Sequence, residues 1–258
     1  MYLFLSDFHF GLGTPEAQAR RRQDFFACLD HYADRLEALC INGDLFDFWF
    51  EWKRVILKDH FSILCKLKGI ADRGAAIHYL AGNHDFALSR FLQDEIGAQI
   101  HRDEHVFETG GRRFYLQHGD GLAPADWGYR LLKRLFRSRF NQKLYSLLHP
   151  DFALEFAHLC SRTSRNHSSR RWDVDGWAYR EAARAKIHQG FDYVIYSHTH
   201  EPLLEPLGRG VYVNTGDWLK HNSYAVWEDG VMTLKYWGMP WMERSQEEGY
   251  SKRQVGTG

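Results

Sequence analysis

The sequence predicts an α/β protein with a mixed sheet, and three observations support that fold class. Short runs rich in Val, Ile, Tyr and Phe alternate with longer stretches of helical periodicity, which is typical of layered α/β folds. Two late runs flank Asp229-Gly230, a dipeptide typical of a hairpin turn. The 258 residues, 44% of them hydrophobic, are enough for a sizeable core in one large domain or two small ones.

Eight strands and five helices are predicted in chain order. Short runs of β-branched and aromatic residues predict the strands, at residues 2–6, 38–42, 76–81, 113–117, 192–196, 211–214, 223–228 and 231–237. Apolar residues spaced three or four apart predict the helices, at residues 16–37, 53–73, 87–95, 126–148 and 177–189. The late hairpin makes the sheet mixed rather than purely parallel.

The composition excludes several classes of protein. Lys and Arg number 33, as do Asp and Glu, and the hydrophobic and charged fractions are those of globular proteins rather than disordered or collagen-like chains. No apolar run is long enough for a transmembrane helix, and the N-terminal residues do not follow a signal-peptide pattern. The four cysteines form no CxxC pair, which favours reduced thiols in a cytoplasmic protein.

Residues 130–171 differ from the rest of the chain in charge. They hold ten Lys or Arg and only two acids, Asp151 and Glu155, so their net charge is +8 and that of the remaining chain is −8. Because their pattern is helical, we interpret them as part of a basic cap inserted into an acidic catalytic body, with a solvated helix face as the alternative. The resulting division has a core at residues 1–120 and 178–241, a cap at 121–177 and a flexible tail at 242–258.

Ionisable or amide side chains follow five successive predicted strands. In chain order they are Asp7 and His9, then Asp44 and Asp47, then Asn83, His84 and Asp85, then His118 and Asp120, then His198 and His200. In open α/β sheets, sites assemble at the carboxyl ends of the strands, so we expect these side chains to meet. Nitrogen and oxygen donors without thiolate favour Mn, Fe or Zn over soft metals.

The number of donors favours two metal ions over one. Asp7 and His9 are two residues apart and point to the same side of the chain, so together they can hold one metal. The same spacing makes His198 and His200 a second pair. A single catalytic metal keeps open positions and would not use all of these donors. Two metals that share Asp44 fit better, and such centres, with metals ~3.5–4 Å apart, favour in-line displacement at phosphorus.

These motifs resemble those of the calcineurin-like metallophosphoesterases, whose signature is DxH, GDxxD, GNHD, a later His and GHxH. The chain supplies Asp7-Phe-His9, Gly43-Asp-Leu-Phe-Asp47, Gly82-Asn-His-Asp85, His118 and Ser197-His-Thr-His200. Ser197 in place of the usual Gly is a small-for-small change that the turn should tolerate. The resemblance implies a four-layer αββα sandwich with mixed sheets, here carrying the inserted helical cap.

The resemblance also implies a role for each site residue. The first metal would be held by Asp7, His9, Asp44 and His200, and the second by Asp44, Asn83, His118 and His198. The two divalent ions would be manganese by preference, with iron or zinc as alternatives. His84 and Asp85 would form a catalytic dyad in which Asp85 orients and charges His84, so that His84 can stabilise charge and protonate the leaving oxygen.

A finer resemblance is to the family of UDP-2,3-diacylglucosamine hydrolases of lipid A synthesis. It rests on the DLFDFW run after Gly43, on GNHDF at 82–86, on HGDGLAPADWGY at 118–129 and on the basic insertion. It implies attack of a metal-bridging hydroxide on the α-phosphorus of UDP-2,3-diacylglucosamine, giving UMP and 2,3-diacylglucosamine 1-phosphate. The substrate contacts that it implies are Asn83, His84, Asp126, Tyr129, Asn166, Arg170 and His198.

The cap has the composition that such a lipid substrate needs. The aliphatic residues of 131–140 would line the acyl chains, and the cations would meet the diphosphate or the anionic cytoplasmic surface of the inner membrane. We therefore expect a cytoplasmic protein with transient, peripheral membrane contact, and no motif indicates a protein partner. One departure from the family is His84, since many of these hydrolases carry Arg there.

Two alternatives remain open. A nuclease or general nucleotide phosphodiesterase would use the same centre and bind nucleic acid with the basic cap and its aromatic side chains. The zero net charge of the chain argues mildly against nucleic acid as a partner. A metal-free scaffold protein would have lost some of the ligands, and all of them are present here.

Overall fold

The fold consists of two packed β-sheets with helices on their outer faces. The computed structural model describes residues 1–122, 135, 137–155, 157 and 172–238. Strands β1 to β11 are Tyr2–Leu5, Ala38–Asn42, Ala76–Leu80, Ala98–His101, Glu104–Thr109, Arg112–Gln117, Tyr193–Tyr196, Leu203–Leu207, Gly210–Asn214, Ser223–Glu228 and Val231–Tyr236. Helices α1 to α4 are Pro15–Tyr32, Phe61–Asp72, Arg139–Tyr145 and Trp172–His188. Short 3₁₀ helices span Ala33–Arg35 and Lys58–His60, and a π-helical turn spans Leu92–Ile96.

Both sheets are mixed, as predicted. The first has six strands in the order β11-β10-β1-β2-β3-β4, in which β1 to β4 are parallel and the β10–β11 hairpin is antiparallel. The second has five strands in the order β5-β6-β7-β9-β8, with β6, β7 and β9 parallel and both edge strands antiparallel. Each sheet therefore has a parallel centre whose strands end at one edge.

Three apolar clusters define four layers. Phe4, Phe114 and Val213 belong to the cluster between the two sheets. A second cluster joins the other face of the first sheet to α1 and α2, and a third joins the outer face of the second sheet to α4. The order of the layers is thus helix, sheet, sheet, helix, which confirms the αββα sandwich.

Helix α1 shows how the sequence sets these layers. Thr14 caps its first turn by accepting the N–H of Ala17 at 3.3 Å, and Pro15 occupies a first-turn position that needs no N–H donor. Its buried face consists of Arg21, Phe25, Cys28, Leu29 and Tyr32, which follow the helical repeat and form one stripe toward the first sheet.

Some predicted helices differ from the structure at their ends, and three strands were not predicted. The helix predicted at 53–73 begins only at Phe61 after a 3₁₀ turn, and the helix predicted at 87–95 is mainly the short π-helical turn. Strands β4, β5 and β8 were not predicted. Strand β5 is a half-exposed edge strand with many polar side chains, and Pro206 lies within β8, which Pro can occupy because β8 is also at an edge.

The structure describes only part of the predicted cap. Tyr145 of α3 packs against Phe50 with ring centroids 4.9 Å apart, and Phe50 lies in the loop after β2. Helix α4 begins at Trp172, so the predicted boundary between cap and core at residue 177 falls inside a continuous helix. The tail predicted at 242–258 lies outside the described residues. Within the described ranges, no helix is both long and apolar enough to cross a membrane.

Candidate metal centre

The predicted ligands lie where strands of both sheets end. Strands β1, β2 and β3 lead into the loops of Asp7, Asp44 and Asn83, while β6 and β7 of the second sheet lead to His118 and His198. Because the parallel strands of each sheet end at the same edge, the two sets of loops meet above the sandwich.

The ligand loops hold unusual backbone conformations. The predicted ligands Asp7, His9, Asp44, His198 and His200 all have φ between 47° and 67°. This left-handed region costs a non-glycine residue roughly 1–2 kcal/mol. In the described chain, the only other non-glycine residues with positive φ are Asn222 and Asp229, so most of this strain lies in the ligand loops.

Two glycines let the loops approach one another. A Cβ atom on Gly43 would collide with the imidazole of His118, and one on Gly82 would collide with the carboxylate of Asp44. Gly43 also has φ of 87°, which disfavours any side chain. The glycines of GDxxD and GNHD are therefore required by the packing of the ligand loops.

The first cluster contains Asp7, His9 and His200. The Asp7 Oδ1 atom lies 3.3 Å from His200 Nε2 and 3.7 Å from His9 Nε2, and the two Nε2 atoms are 3.4 Å apart. Asp7 is fully buried, yet its Oδ1 makes no hydrogen bond to any described residue. A buried carboxylate oxygen facing two ring nitrogens is the donor set that a divalent cation fits.

The second cluster contains Asp44, Asn83, His118 and His198. His118 Nε2 lies 3.1 Å from Asn83 Oδ1 and 3.3 Å from Asp44 Oδ2, and the ligand atoms of Asp44, His118 and His198 lie within 4.8 Å of one another. Asp44 Oδ2 is also 3.8 Å from His9 Nε2 of the first cluster. Asp44 therefore stands between the two clusters, where a shared ligand would be needed.

Paired charges hold the clusters together in the metal-free chain. Burial raises the pKa of Asp44, but the imidazoles of His118, His84 and His9 outweigh it, and the pKa lies far below its usual range. In turn, Asp44 overcomes the burial of His118 and raises its pKa to about 10, and Asp7 does the same for the pKa of His200. Protons on these imidazoles balance the carboxylates, and metal binding would release them.

Outer residues fix the orientation of two ligands. The Nδ1 of His118 lies 2.8 Å from the backbone oxygen of Asn42, and the Nδ1 of His200 lies 3.1 Å from Oδ2 of Asp217. Asp217 is buried and also accepts the backbone N–H of His221. Sequence reasoning missed Asp217, although it follows β9 and the strand-end rule would have found it.

We expect Asp217→Asn to weaken metal binding. Loss of an outer carboxylate that orients a ligand histidine costs about 10–100-fold in metal affinity or activity. Titration of the metal-free protein with Mn²⁺ measures the change. Asp192→Asn is the control, because Asp192 accepts hydrogen bonds from Arg112 and Arg113 away from the centre. Equal Mn²⁺ affinity in the Asp217 variant and the unaltered chain would show that this contact does not support the ligand.

His84 and Asp85 do not pair as predicted. The His84 Nδ1 lies 3.0 Å from the backbone oxygen of Asp47 and 3.4 Å from its Oδ1. Asp85 is buried and accepts the Tyr79 O–H at 2.6 Å and backbone N–H groups of both ligand loops. The prediction that Asp85 orients and charges His84 is therefore wrong. The Asp85 carboxylate instead binds backbone N–H groups of the two ligand loops, and it is Asp47 that contacts the imidazole of His84.

Asp85 is expected to be important for stability. Its removal leaves several buried N–H groups without an acceptor, at ~1–3 kcal/mol each, so Asp85→Ala should lower the free energy of unfolding by at least about 3 kcal/mol. Tyr79→Phe removes only one of these hydrogen bonds and should cost about 1 kcal/mol. Urea unfolding compares the two variants. Equal losses would contradict this role of Asp85.

The structure places some of the remaining predicted site residues near the metal centre, while others lie outside the described residues. His84 also lies near His9 and Asp44, so these three could form a ligand group of their own. Asp120 is buried near the centre. Ser197, the departure from the family signature, is buried and its hydroxyl lies 2.7 Å from the amide nitrogen of Asn42. Four predicted substrate contacts lie outside the described residues, namely Asp126, Tyr129, Asn166 and Arg170.

Arg21 supports the first ligand loop from α1. Its Nη1 lies 3.0, 3.2 and 3.3 Å from the backbone oxygens of Phe8, His9 and Leu12. No sequence signal separates it from the neighbouring arginines of α1, except its position on the apolar stripe.

The fold and the site together define a metal-dependent phosphoesterase. Residues 2–202 match the calcineurin-like phosphoesterases, and the chain belongs to that family. Members of the family use a dimetal site, and the His and Asp clusters of this chain could bind the metals.

Three relatives share the name UDP-2,3-diacylglucosamine hydrolase. The relative from Porphyromonas gingivalis is 30% identical over 252 residues, which cover 90% of this chain and 95% of the relative. The relative from Nitrosococcus oceani is 32% identical over 203 residues, or 77% of this chain and 78% of the relative. The relative from Pseudomonas aeruginosa is 31% identical over 212 residues, or 80% and 84%.

Proposed function

We propose that this chain hydrolyses the pyrophosphate of UDP-2,3-diacylglucosamine at the α-phosphorus, giving UMP and 2,3-diacylglucosamine 1-phosphate. The observation that carries the proposal is that Asp44 joins two clusters of His and Asp side chains, since its Oδ2 lies near both His9 and His118. The names of the three relatives and the length over which they match support the choice of substrate.

The proposed ligands follow the two clusters. One divalent ion would be held by Asp7, His9, Asp44 and His200, and the other by Asp44, Asn83, His118 and His198. The Oδ1 of Asp7, which makes no hydrogen bond in the described chain, and the imidazole, carboxylate and amide donors support this assignment, with manganese preferred over iron or zinc. When bound, two divalent ions supply an activated nucleophile and charge stabilisation for in-line displacement at phosphorus.

His84 is proposed to act on the leaving group. Its Nδ1 faces the backbone oxygen of Asp47, which leaves Nε2 as the ring nitrogen that would hold a proton for the substrate. The side chain is 14% exposed, so a substrate can reach it. We propose that this proton passes to the oxygen that leaves with the lipid phosphate.

Residues of the cap are proposed to bind the acyl chains. Seven large apolar side chains of its described part are exposed, and the most exposed are Phe140 at 75%, Leu147 at 78% and Phe152 at 72%. Exposed apolar surface of this kind is typical of ligand or membrane contact. Tyr145 connects this part of the cap to Phe50, three residues beyond Asp47. We propose that the cap at 121–177 covers the centre and touches the cytoplasmic surface of the inner membrane transiently.

The contacts Asp126, Tyr129, Asn166 and Arg170 remain predictions within that proposal. The domain division also remains a proposal, with a core at 1–120 and 178–241 and a tail at 242–258.

Turnover of the manganese-loaded protein on a panel of substrates tests the function. The panel contains UDP-2,3-diacylglucosamine, UDP-N-acetylglucosamine, bis-p-nitrophenyl phosphate and single-stranded DNA. We expect UMP release from the diacylated substrate and little from the non-acylated sugar nucleotide. Cleavage of the simple diester or the DNA without cleavage of the lipid would overturn the substrate but retain a dimetal phosphoesterase.

A further inference from the structure

A second group of histidines lies outside the metal centre. His78 on β3, His101 at the end of β4 and His105 on β5 are each partly buried, and one ring nitrogen from each lies within 4.8 Å of the others. His78 Nδ1 and His101 Nε2 are 3.2 Å apart. The proposed phosphoesterase reaction uses none of these three residues, which we refer to as the edge triad.

The edge triad joins the two sheets. Strand β4 is the edge of the first sheet and β5 is the edge of the second, and only Arg102 and Asp103 connect them. His78 shares a strand face with Leu80, and His105 shares one with Phe107, and both of these neighbours pack between the sheets. The three imidazoles therefore fill one side of the layer between the sheets, two from the first sheet and one from the second.

The imidazoles are packed and uncharged. The ring of His105 stacks on those of His101 and His78, with centroids 3.9 and 4.3 Å apart. Burial lowers the pKa of His101 to about 4 and the pKa of His105 to about 3, and it also lowers the pKa of His78. Neutral imidazole is the form that binds a metal, and binding requires only that the N–H shared between His78 and His101 move to the other nitrogen of its ring.

One nitrogen of the edge triad has no partner. The Nε2 of His105 is buried and makes no hydrogen bond within the described part of the chain. A buried polar atom without a partner costs roughly 1–3 kcal/mol, and packing of the rings does not remove that cost. A cation bound through this nitrogen would satisfy it.

We propose that His78, His101 and His105 bind one divalent ion of the zinc, nickel and copper class, with water in the remaining position. Two nitrogens on one tetrahedral zinc ion, each ~2.0–2.1 Å from it, are about 3.3 Å apart. The 3.2 Å between His78 and His101 is close to that spacing. Three imidazoles without a carboxylate favour these metals over manganese, which prefers oxygen ligands. The ion would tie the edge strands of the two sheets together.

Counting bound zinc tests the proposal. His105→Phe keeps a stacked ring but removes the ligand, and His31→Phe is the control, because His31 packs beside Tyr32 and Trp237 away from the edge triad. After equilibrium dialysis against Zn²⁺, we expect His105→Phe to bind one zinc fewer per chain than the unaltered protein, and His31→Phe to bind the same number. Equal counts in His105→Phe and the unaltered protein would overturn the proposal. The difference does not depend on how many ions the phosphoesterase centre holds.

A second measurement needs no variant. Crystals of the unaltered protein grown with Zn²⁺ and measured at the zinc absorption edge should show an anomalous peak between the three imidazoles. A map with peaks at the phosphoesterase centre and none at the edge triad would overturn the proposal, even if His105→Phe fails to fold. A peak at the triad in a protein that does not hydrolyse UDP-2,3-diacylglucosamine would support this site and reject only the proposed substrate.

Discussion

Replacement of Asp44 by asparagine is expected to abolish turnover. Asp44 is buried between the two clusters, with Oδ2 3.3 Å from His118 Nε2 and 3.8 Å from His9 Nε2. Asparagine removes the negative charge that both proposed metals would share. Mutation of residues that only orient metal ligands lowers metal affinity or activity by about 10–100-fold. Loss of a ligand shared by both metals should therefore lower kcat by more than about 100-fold. Steady-state kinetics and a count of bound manganese measure the effect.

A surface carboxylate provides the control for Asp44. Asp34→Asn removes an equal charge from a fully exposed side chain, so its kinetics and metal content should match those of the unaltered protein. Full turnover of Asp44→Asn with two ions bound would refute the shared position of Asp44.

His84→Ala is expected to slow turnover by about 10²–10⁴-fold while the metals stay bound, because a positioned general acid contributes on that scale. The ring lies edge-on to His9 at 4.7 Å and its Nδ1 is held by Asp47. Its removal therefore takes away a proton donor and leaves the proposed metal ligands in place. Single-turnover rates together with metal content separate these two effects.

The metal content of His84→Ala decides between two roles. His84 could also join His9 and Asp44 as a ligand, and then the bound metal would fall together with the rate. An unchanged rate would remove His84 from both roles. His188→Ala is the control, because His188 is an exposed residue at the end of α4.

The strand-end rule predicted most of the site, because parallel strands deliver their following residues to one edge. The rule works for Asp7, Asp44 and His118 since each lies within two residues of its strand. The pairing of His84 with Asp85 was wrong for a different reason. Neighbours in sequence were assumed to be partners, whereas Asp85 bonds to backbone N–H groups some 40 residues away. Such a contact depends on how two loops pack, and no local pattern shows it.

The layers were predictable from the buried strands but not from the edge strands. Strands β1 and β2 are apolar runs covered on both faces, so their composition alone identifies them. Strands β5 and β8 lie at edges, where one side of the strand has no partner and polar residues or Pro206 are tolerated. The edge triad was missed for the same reason, because two of its histidines lie on the unpredicted strands β4 and β5.

Hydrolysis of UDP-2,3-diacylglucosamine in ¹⁸O-enriched water is the most direct test of the proposed reaction. The manganese-loaded protein would be allowed to complete the reaction, and both products would be analysed by mass spectrometry. In-line attack of water-derived oxygen at the α-phosphorus predicts ¹⁸O in UMP and none in 2,3-diacylglucosamine 1-phosphate. Label in the lipid phosphate, or no hydrolysis of this substrate, would contradict the account.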